Sequence, residues 1–163
     1  VNVIVVGGPA HRLELAKQFG VDAVVNIENT TAEERVAAIK SMTSGRGADV
    51  VIEATGFPAA VKEGMAMARD AGTYVVVGQY TNNGDISMNP HLDINKKHLN
   101  IKGTWGIDLS HFYRSIQIMA KHHDRFAWEK FISGHYGLHE VNQAIADVEH
   151  HRVMKAVIDP YKK

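Results

Sequence analysis

The strongest constraint on this chain is its alternation of short β-branched runs with stretches of helical periodicity. Val3-Ile4-Val5-Val6 reads as a buried strand closed by Gly7-Gly8-Pro9. A helix follows with Leu13, Leu15, Ala16 and Phe19 on one face, ending at Gly20. Ala23 to Ile27 is a second short strand. Thr30 or Thr31 can cap the next helix, with Glu33 and Glu34 in its first turn, where the helix dipole favours acids. Asp49 to Glu53 is a third strand, left through Ala54-Thr55-Gly56 into a helix for which Pro58 suits the first position. That helix reaches about Arg69, and Thr73 to Val77 is a fourth strand ended by Gly78. Leu99 to Trp105 predicts a fifth, Ser110 to His122 and His139 to Glu149 predict helices, and Met154 to Ile158 a last strand. Strands alternating with helices of this length predict an α/β fold with a parallel sheet covered on both faces.

Composition excludes several function classes. With 18 basic and 18 acidic residues in 163, there is no cationic excess for nucleic acid. No apolar run is long enough to span a membrane and no signal peptide is present, so a cytoplasmic setting is expected. Cysteine is absent, which rules out disulfides and thiolate-ligated zinc within these residues. The chain opens on Val1 inside an apolar run, as expected of a piece cut from something longer.

In an open α/β sheet, ligands sit outside the carboxyl ends of the strands. Here those ends carry Gly7-Gly8, Ala54-Thr55-Gly56, Val77-Gly78 and Thr104-Trp105-Gly106. Small residues there let a flat, phosphate-bearing ligand approach the backbone, so their recurrence favours a nucleotide crevice over mere strand termination. The glycine-rich G-x-G-x-x-G turn is missing, and Gly45-Arg46-Gly47 precedes a strand rather than opening a helix. The pairs His122-His123 and His150-His151 lack a third ligand and read as surface histidines, while Met65, Met67 and Met119 read as core. Trp105 and Trp128 could stack on a ligand, although burial is the commoner fate. Ser110-His111 has no nucleophile elbow around it.

Val3 to Val6 through His11-Arg12-Leu13-Glu14-Leu15-Ala16-Lys17 and Gly20-Val21-Asp22 resembles the second Rossmann strand and following helix of zinc-type medium-chain alcohol and polyol dehydrogenases. Gly47 to Gly56, Gly72 to Gly78, Ser87 to Pro90, Ile101 to Gly106 and Met154 to Pro160 continue the resemblance in family order over essentially the whole chain. It implies a Rossmann-like doubly wound parallel sheet missing its usual first strand. Residues 1–163 would form a single, partial dinucleotide-binding domain, with 150–163 returning toward an absent catalytic domain.

The resemblance implies NAD or NADP as coenzyme, with zinc held only in the absent domain. Gly7 would face the adenosine ribose, Arg12 would lie near the adenine end, and Ala54 and Thr55 would pack beside the adenosine half. Val77, Gly78 and Gln79 would flank the nicotinamide, Thr104 and Trp105 would offer it backbone groups, and Lys155 would meet the pyrophosphate. NAD-preferring members carry Asp or Glu where Gly7 stands, so its loss permits NADP, with Arg12 or His11 as a phosphate partner. Leu99 to Gly106 resembles the edge strand through which subunits pair, implying a homo-oligomer with no nucleic-acid or membrane partner.

The implied reading is the coenzyme-binding portion of an alcohol or polyol dehydrogenase, inactive alone. A non-catalytic dimerisation module is the alternative, and a different Rossmann-like enzyme such as a methyltransferase the third reading. In the strand order 3-2-1-4-5-6 the missing first strand is central. Two compensations are expected: Val3 to Val6 shifts into the vacant place to give a flavodoxin-like order, or another copy donates a strand.

Overall fold

The computed structural model describes residues 1–162. In chain order the elements are β1 (Ile4–Gly7), α1 (Ala10–Gln18), β2 (Ala23–Asn26), α2 (Ala32–Met42), β3 (Ala48–Glu53), α3 (Pro58–Met67), β4 (Ala68–Val76), β5 (Asn100–Gly103), α4 (Leu109–Lys121), β6 (Ile132–Gly137), α5 (Val141–Glu149) and β7 (Lys155–Asp159). The α/β alternation is the expected one. All three strand pairings with a defined register, β3 to β4, β4 to β5 and β6 to β7, are parallel. Residue contacts group into two compact units, Val25–Ile107 and a second made of Val1–Val24 with Asp108 onward.

The Val25–Ile107 unit is built on the sheet β3-β4-β5. Its core is Met65, Ala68, Tyr74 and Leu99, with Val51, Val61, Val76, Met88 and Ile94 packed against it. Tyr74 is fully buried, and removing a side chain of that size from water contributes roughly 1.5–3 kcal/mol. The ring fits because Gly64 of α3 lies over it; a Cβ at Gly64 would sit 2.7 Å from Tyr74 Cε2.

Helix α2 starts with a capping box: Thr31 Oγ1 accepts from the Glu34 amide and Glu34 Oε2 accepts from the Thr31 amide. Arg35 of α2 holds Glu63 of α3 through two bonds, Nε to Oε1 at 2.5 Å and Nη2 to Oε2 at 2.8 Å. This bidentate geometry suits a poorly hydrated pair. Pro58 opens α3 as expected. The helix ends at Met67, earlier than periodicity indicates, and β4 begins at Ala68 without a loop. Lys97 explains this, because its ammonium donates to the carbonyls of Met65 (2.5 Å) and Ala68 (2.6 Å) and so caps the helix end. Burial, followed by the nearby Lys40 charge, holds Lys97 below the usual lysine range.

The other unit is organised by aromatic packing. Phe19, at the end of α1, stacks on Phe126 with centroids 5.7 Å apart and meets Phe131 at 4.7 Å. Trp128, half-buried, joins them at 5.7 Å from Phe19 and 5.1 Å from Phe126, so its ring packs within this aromatic cluster. Parallel β6 and β7 carry α5, and the Tyr136 hydroxyl donates to Asp147 Oδ2 at 2.8 Å. Strand β6 was not legible from periodicity.

Two expectations need correction. Strand β1 pairs with β2 in a two-stranded sheet, and β3 is an edge of its own sheet, so no shift into a flavodoxin-like order occurs. Val50 and Ile52 of β3 are 56% and 64% exposed. Met119 is 44% exposed rather than core, because the apolar side chains of α4 project into solvent.

Replacing Gly64 with Ala should force Tyr74 from its rotamer and cost about 1–3 kcal/mol. Urea denaturation read by tyrosine and tryptophan fluorescence measures that loss directly.

Candidate coenzyme crevice

The exits of β3 and β4 are held together backbone against backbone. A Cβ on Gly78 would lie 2.5 Å from the Gly56 amide nitrogen, 2.6 Å from that of Thr55 and 2.7 Å from the Ala54 carbonyl carbon. Only glycine permits that approach. Gly56 has φ +77°, the left-handed region that glycine enters without strain, and a Cβ there would meet the Gly78 oxygen at 3.0 Å.

Glu53, the last residue of β3, ties the two exits. Its carbonyl accepts from the amides of Val77 (2.8 Å) and Gly78 (3.0 Å). Its carboxylate Oε1 accepts from the Thr55 amide (2.6 Å), the Thr55 hydroxyl (2.7 Å) and the Gly56 amide (2.9 Å). The side chain is buried, with 4% of its surface exposed. Burial is the largest single influence and opposes ionisation, yet the donors from Thr55 and Gly56 together outweigh it and hold the carboxyl below its ordinary 4.5.

Beside these exits lies a cleft of about 540 Å³ whose walls include Pro58, Val76, Gln79, Tyr80, Asn83 and Trp105. Tyr80 stacks on Trp105 with centroids 5.2 Å apart and planes 19° from parallel. Trp105 remains 78% exposed, so this aromatic pair forms a solvent-facing platform. Asn83 Nδ2 donates to the Gly56 carbonyl at 2.9 Å, fastening the Asn82-Asn83-Gly84 turn to the β3 exit. A larger hollow of about 660 Å³, lined by Lys40, Arg46 and Lys97 among others, lies toward the amino ends of β3 and β4. That is the opposite end from where open parallel sheets bind ligands.

The structure thus brings Ala54, Thr55, Val77, Gly78, Gln79, Thr104 and Trp105 into one unit, at the carboxyl ends of adjacent parallel strands. Thr104 spends its amide and its hydroxyl on the Val76 carbonyl, each at 3.1 Å, so of its two backbone groups the carbonyl is what it can offer a ligand. Gly7, Arg12 and Lys155 belong to the other unit. Arg12 Nη2 reaches the Val153 carbonyl at 3.5 Å, and Lys155 is exposed on β7. A Cβ at Gly7 would touch only Leu13 Cδ2, at 4.0 Å, so there is room for a side chain at that position. Glu53, Tyr80 and Asn83 were not singled out from sequence. The available signal was a carboxylate ending an otherwise apolar strand, Val50-Val51-Ile52-Glu53.

A family profile described as zinc-binding dehydrogenase matches residues 1–121. The chain belongs to that family. It is 28% identical over 158 residues to 5-exo-hydroxycamphor dehydrogenase of Pseudomonas putida, covering 97% of this chain and 44% of the relative. It is 35% identical over 130 residues to a probable alcohol dehydrogenase of Mycobacterium tuberculosis, covering 77% and 34%. Among solved structures, an alcohol dehydrogenase from Thermotoga maritima superposes with a TM-score of 0.89 at 34% identity, covering 97% of this chain and 43% of that one. Benzyl alcohol dehydrogenase of Acinetobacter calcoaceticus superposes with a TM-score of 0.81 at 27% identity, covering 96% and 42%. The chain spans less than half the length of these relatives. The Rossmann-like fold class and the dehydrogenase kinship read from sequence are thereby established.

Among the described residues no group of three or more His, Asp or Glu could hold a metal ion, and no helix is long and apolar enough to cross a membrane.

Because Glu53 is held below its ordinary value, the stability it contributes is complete above about pH 5 and is lost as pH falls through the depressed native value. Urea midpoints measured from pH 7 down to pH 3 should decline in the acid range, and Glu53→Gln should flatten that decline. An unchanged acid profile in the variant would show that other carboxylates carry it.

Proposed function

We propose that this chain is the NAD(P)-binding portion of a zinc-dependent alcohol or polyol dehydrogenase, catalytically silent without the rest of such an enzyme. The observation that carries the reading is the glycine-to-glycine contact at the β3 and β4 exits, beside the cleft edged by Gln79 and Trp105. It keeps both exits free of side chains at Gly56 and Gly78, beside the end of the sheet where a flat, phosphate-bearing ligand needs close approach. When bound, a nicotinamide coenzyme supplies the hydride acceptor or donor. The residues here bind and orient: Ala54 and Thr55 border the adenosine half, Val77, Gly78 and Gln79 the nicotinamide, with Thr104 and Trp105 at its edge. Gly7 and Arg12 set the choice between coenzymes, and Lys155 meets the pyrophosphate. A cysteine-free chain goes with a cytoplasmic setting.

Saturable binding of NADH or NADPH, followed by nicotinamide fluorescence, is the expected result, with no alcohol oxidation by the chain alone. Gly7→Asp has room for its side chain and should weaken NADPH about tenfold or more relative to NADH, through repulsion of the 2′-phosphate. No saturable binding of either coenzyme would reject the reading.

A second role favoured by a specific observation is self-association through β5. Its four residues are all exposed, and it is the second edge of the β3-β4-β5 sheet. The Thr104 amide points toward Val76 of β4, so alternation along the strand turns the Ile101 amide to the open edge. Ile101→Pro removes that donor without touching the β4 ladder. Sedimentation should give twice the chain mass for the wild type and the monomer mass for the variant; a monomeric wild type would sink this role.

A further inference from the structure

We propose that Glu53 is the positioning residue of the coenzyme crevice, setting the spacing of the β3 and β4 exits through its two acceptor groups. The proposal rests on the coenzyme reading above and adds a residue to it that the family resemblance did not supply.

Four backbone amides and one hydroxyl, drawn from both exits, converge on this single residue. The carbonyl holds Val77 and Gly78, and the carboxylate holds Thr55 and Gly56. Val77 and Gly78 lie between the cleft residues Val76 and Gln79, and the Gly56 carbonyl holds the cleft residue Asn83. The Gly78 position over Ala54, Thr55 and Gly56 leaves no slack: a methyl added to Gly78 would lie 2.5–2.7 Å from that backbone, so the two exits already touch. A loop pair this close keeps its shape only if both are pinned, and backbone amides aimed at a buried carboxylate are a strong pin.

The second oxygen of that carboxylate supports a role beyond turn stability. Glu53 Oε2 is buried without a hydrogen-bond partner, and so is Gln79 Nε2. The Gln79 amide is near enough to favour the carboxylate's charge, yet no bond is completed. Gln79 follows Gly78 in the crevice wall. Gln79 Nε2 is thus a buried donor beside a buried acceptor, and through it Glu53 can fix that wall as well as its own turn. Tyr74, whose hydroxyl is also buried without a partner, feels the Glu53 charge from the core side. The carboxylate therefore sits between the packed core and the crevice.

Two variants separate the contributions. Glu53→Gln retains one side-chain oxygen acceptor of the same shape, whereas Glu53→Leu keeps the volume and no side-chain acceptor; both keep the backbone carbonyl that holds Val77 and Gly78. NADH titration of the whole chain should give a Kd raised about 3- to 10-fold for Glu53→Gln and more than tenfold for Glu53→Leu. Glutamine thus rescues part of what leucine loses. In ¹⁵N spectra, NADH should shift the amides of Thr55, Gly56, Val77 and Gly78 in the wild type, and shift those of Thr55 and Gly56, which the carboxylate holds, less in Glu53→Gln. Equal NADH affinity in wild type and Glu53→Gln, with the same amide responses, overturns the role of Glu53 and leaves the coenzyme reading intact. Absence of NADH binding by the wild type overturns both. Should Glu53→Leu not fold, the comparison of Glu53→Gln with the wild type decides the matter alone.

Discussion

The crevice depends on one close contact, the backbone of Gly78 lying against the backbone of Ala54 to Gly56. Two parallel strands normally diverge where they leave a sheet, because each turn carries side chains. Here neither Gly56 nor Gly78 has one, and Glu53 gathers the turn amides of both exits. Beside that contact, burial raises the Glu53 carboxyl, but the fixed donors of Thr55 and Gly56 outweigh it and hold the group below its ordinary range. The contact explains the position of the cleft, which opens where the joined exits meet the Tyr80–Trp105 platform.

What carries the rest of the Val25–Ile107 unit is apolar packing on the α3 side of the sheet. Gly64, Tyr74 and Met65 interlock there, and Lys97 satisfies the carbonyls where α3 turns directly into β4. The β3 edge contributes little to that core. Its Val50 and Ile52 are half or more exposed, and strands of parallel sheets are ordinarily covered on both faces. Stability in this unit is accordingly one-sided. The strand that bears Glu53 is held by β4 and α3.

Much of this was legible in the residues. Periodicity located β1 to β5 and the main helices, and Thr31, Pro58 and Gly78 marked boundaries because each answers a local backbone requirement. Met65 and Met67 were read correctly as core, and Met119 was not, since a helical stripe reports a face without reporting what covers it. The early end of α3 escaped because its cause, the Lys97 ammonium, lies about thirty residues away. β6 escaped because Ile132-Ser133-Gly134-His135-Tyr136-Gly137 alternates too weakly to stand out. Of the crevice, the glycines were visible as strand-end punctuation. The role of Glu53 was hidden, because a single acidic residue at a strand end is ordinary until its donors are seen.

The same cleft shows what division of labour the family reading requires. Its walls offer aromatic faces, amides and backbone, and Tyr80 is the one titratable side chain among the residues lining it. A surface of that kind can seat and orient a flat ring, but it has no carboxylate or imidazole poised to take a proton from an alcohol. The buried carboxylate nearby, Glu53, is fully engaged in holding Thr55 and Gly56 through one oxygen and is oriented toward the wall through the other. Drawing it into proton transfer would release the turns that shape the crevice. On the proposed reading, this wall seats and orients a nicotinamide ring, and Glu53 serves by holding the turns beside it.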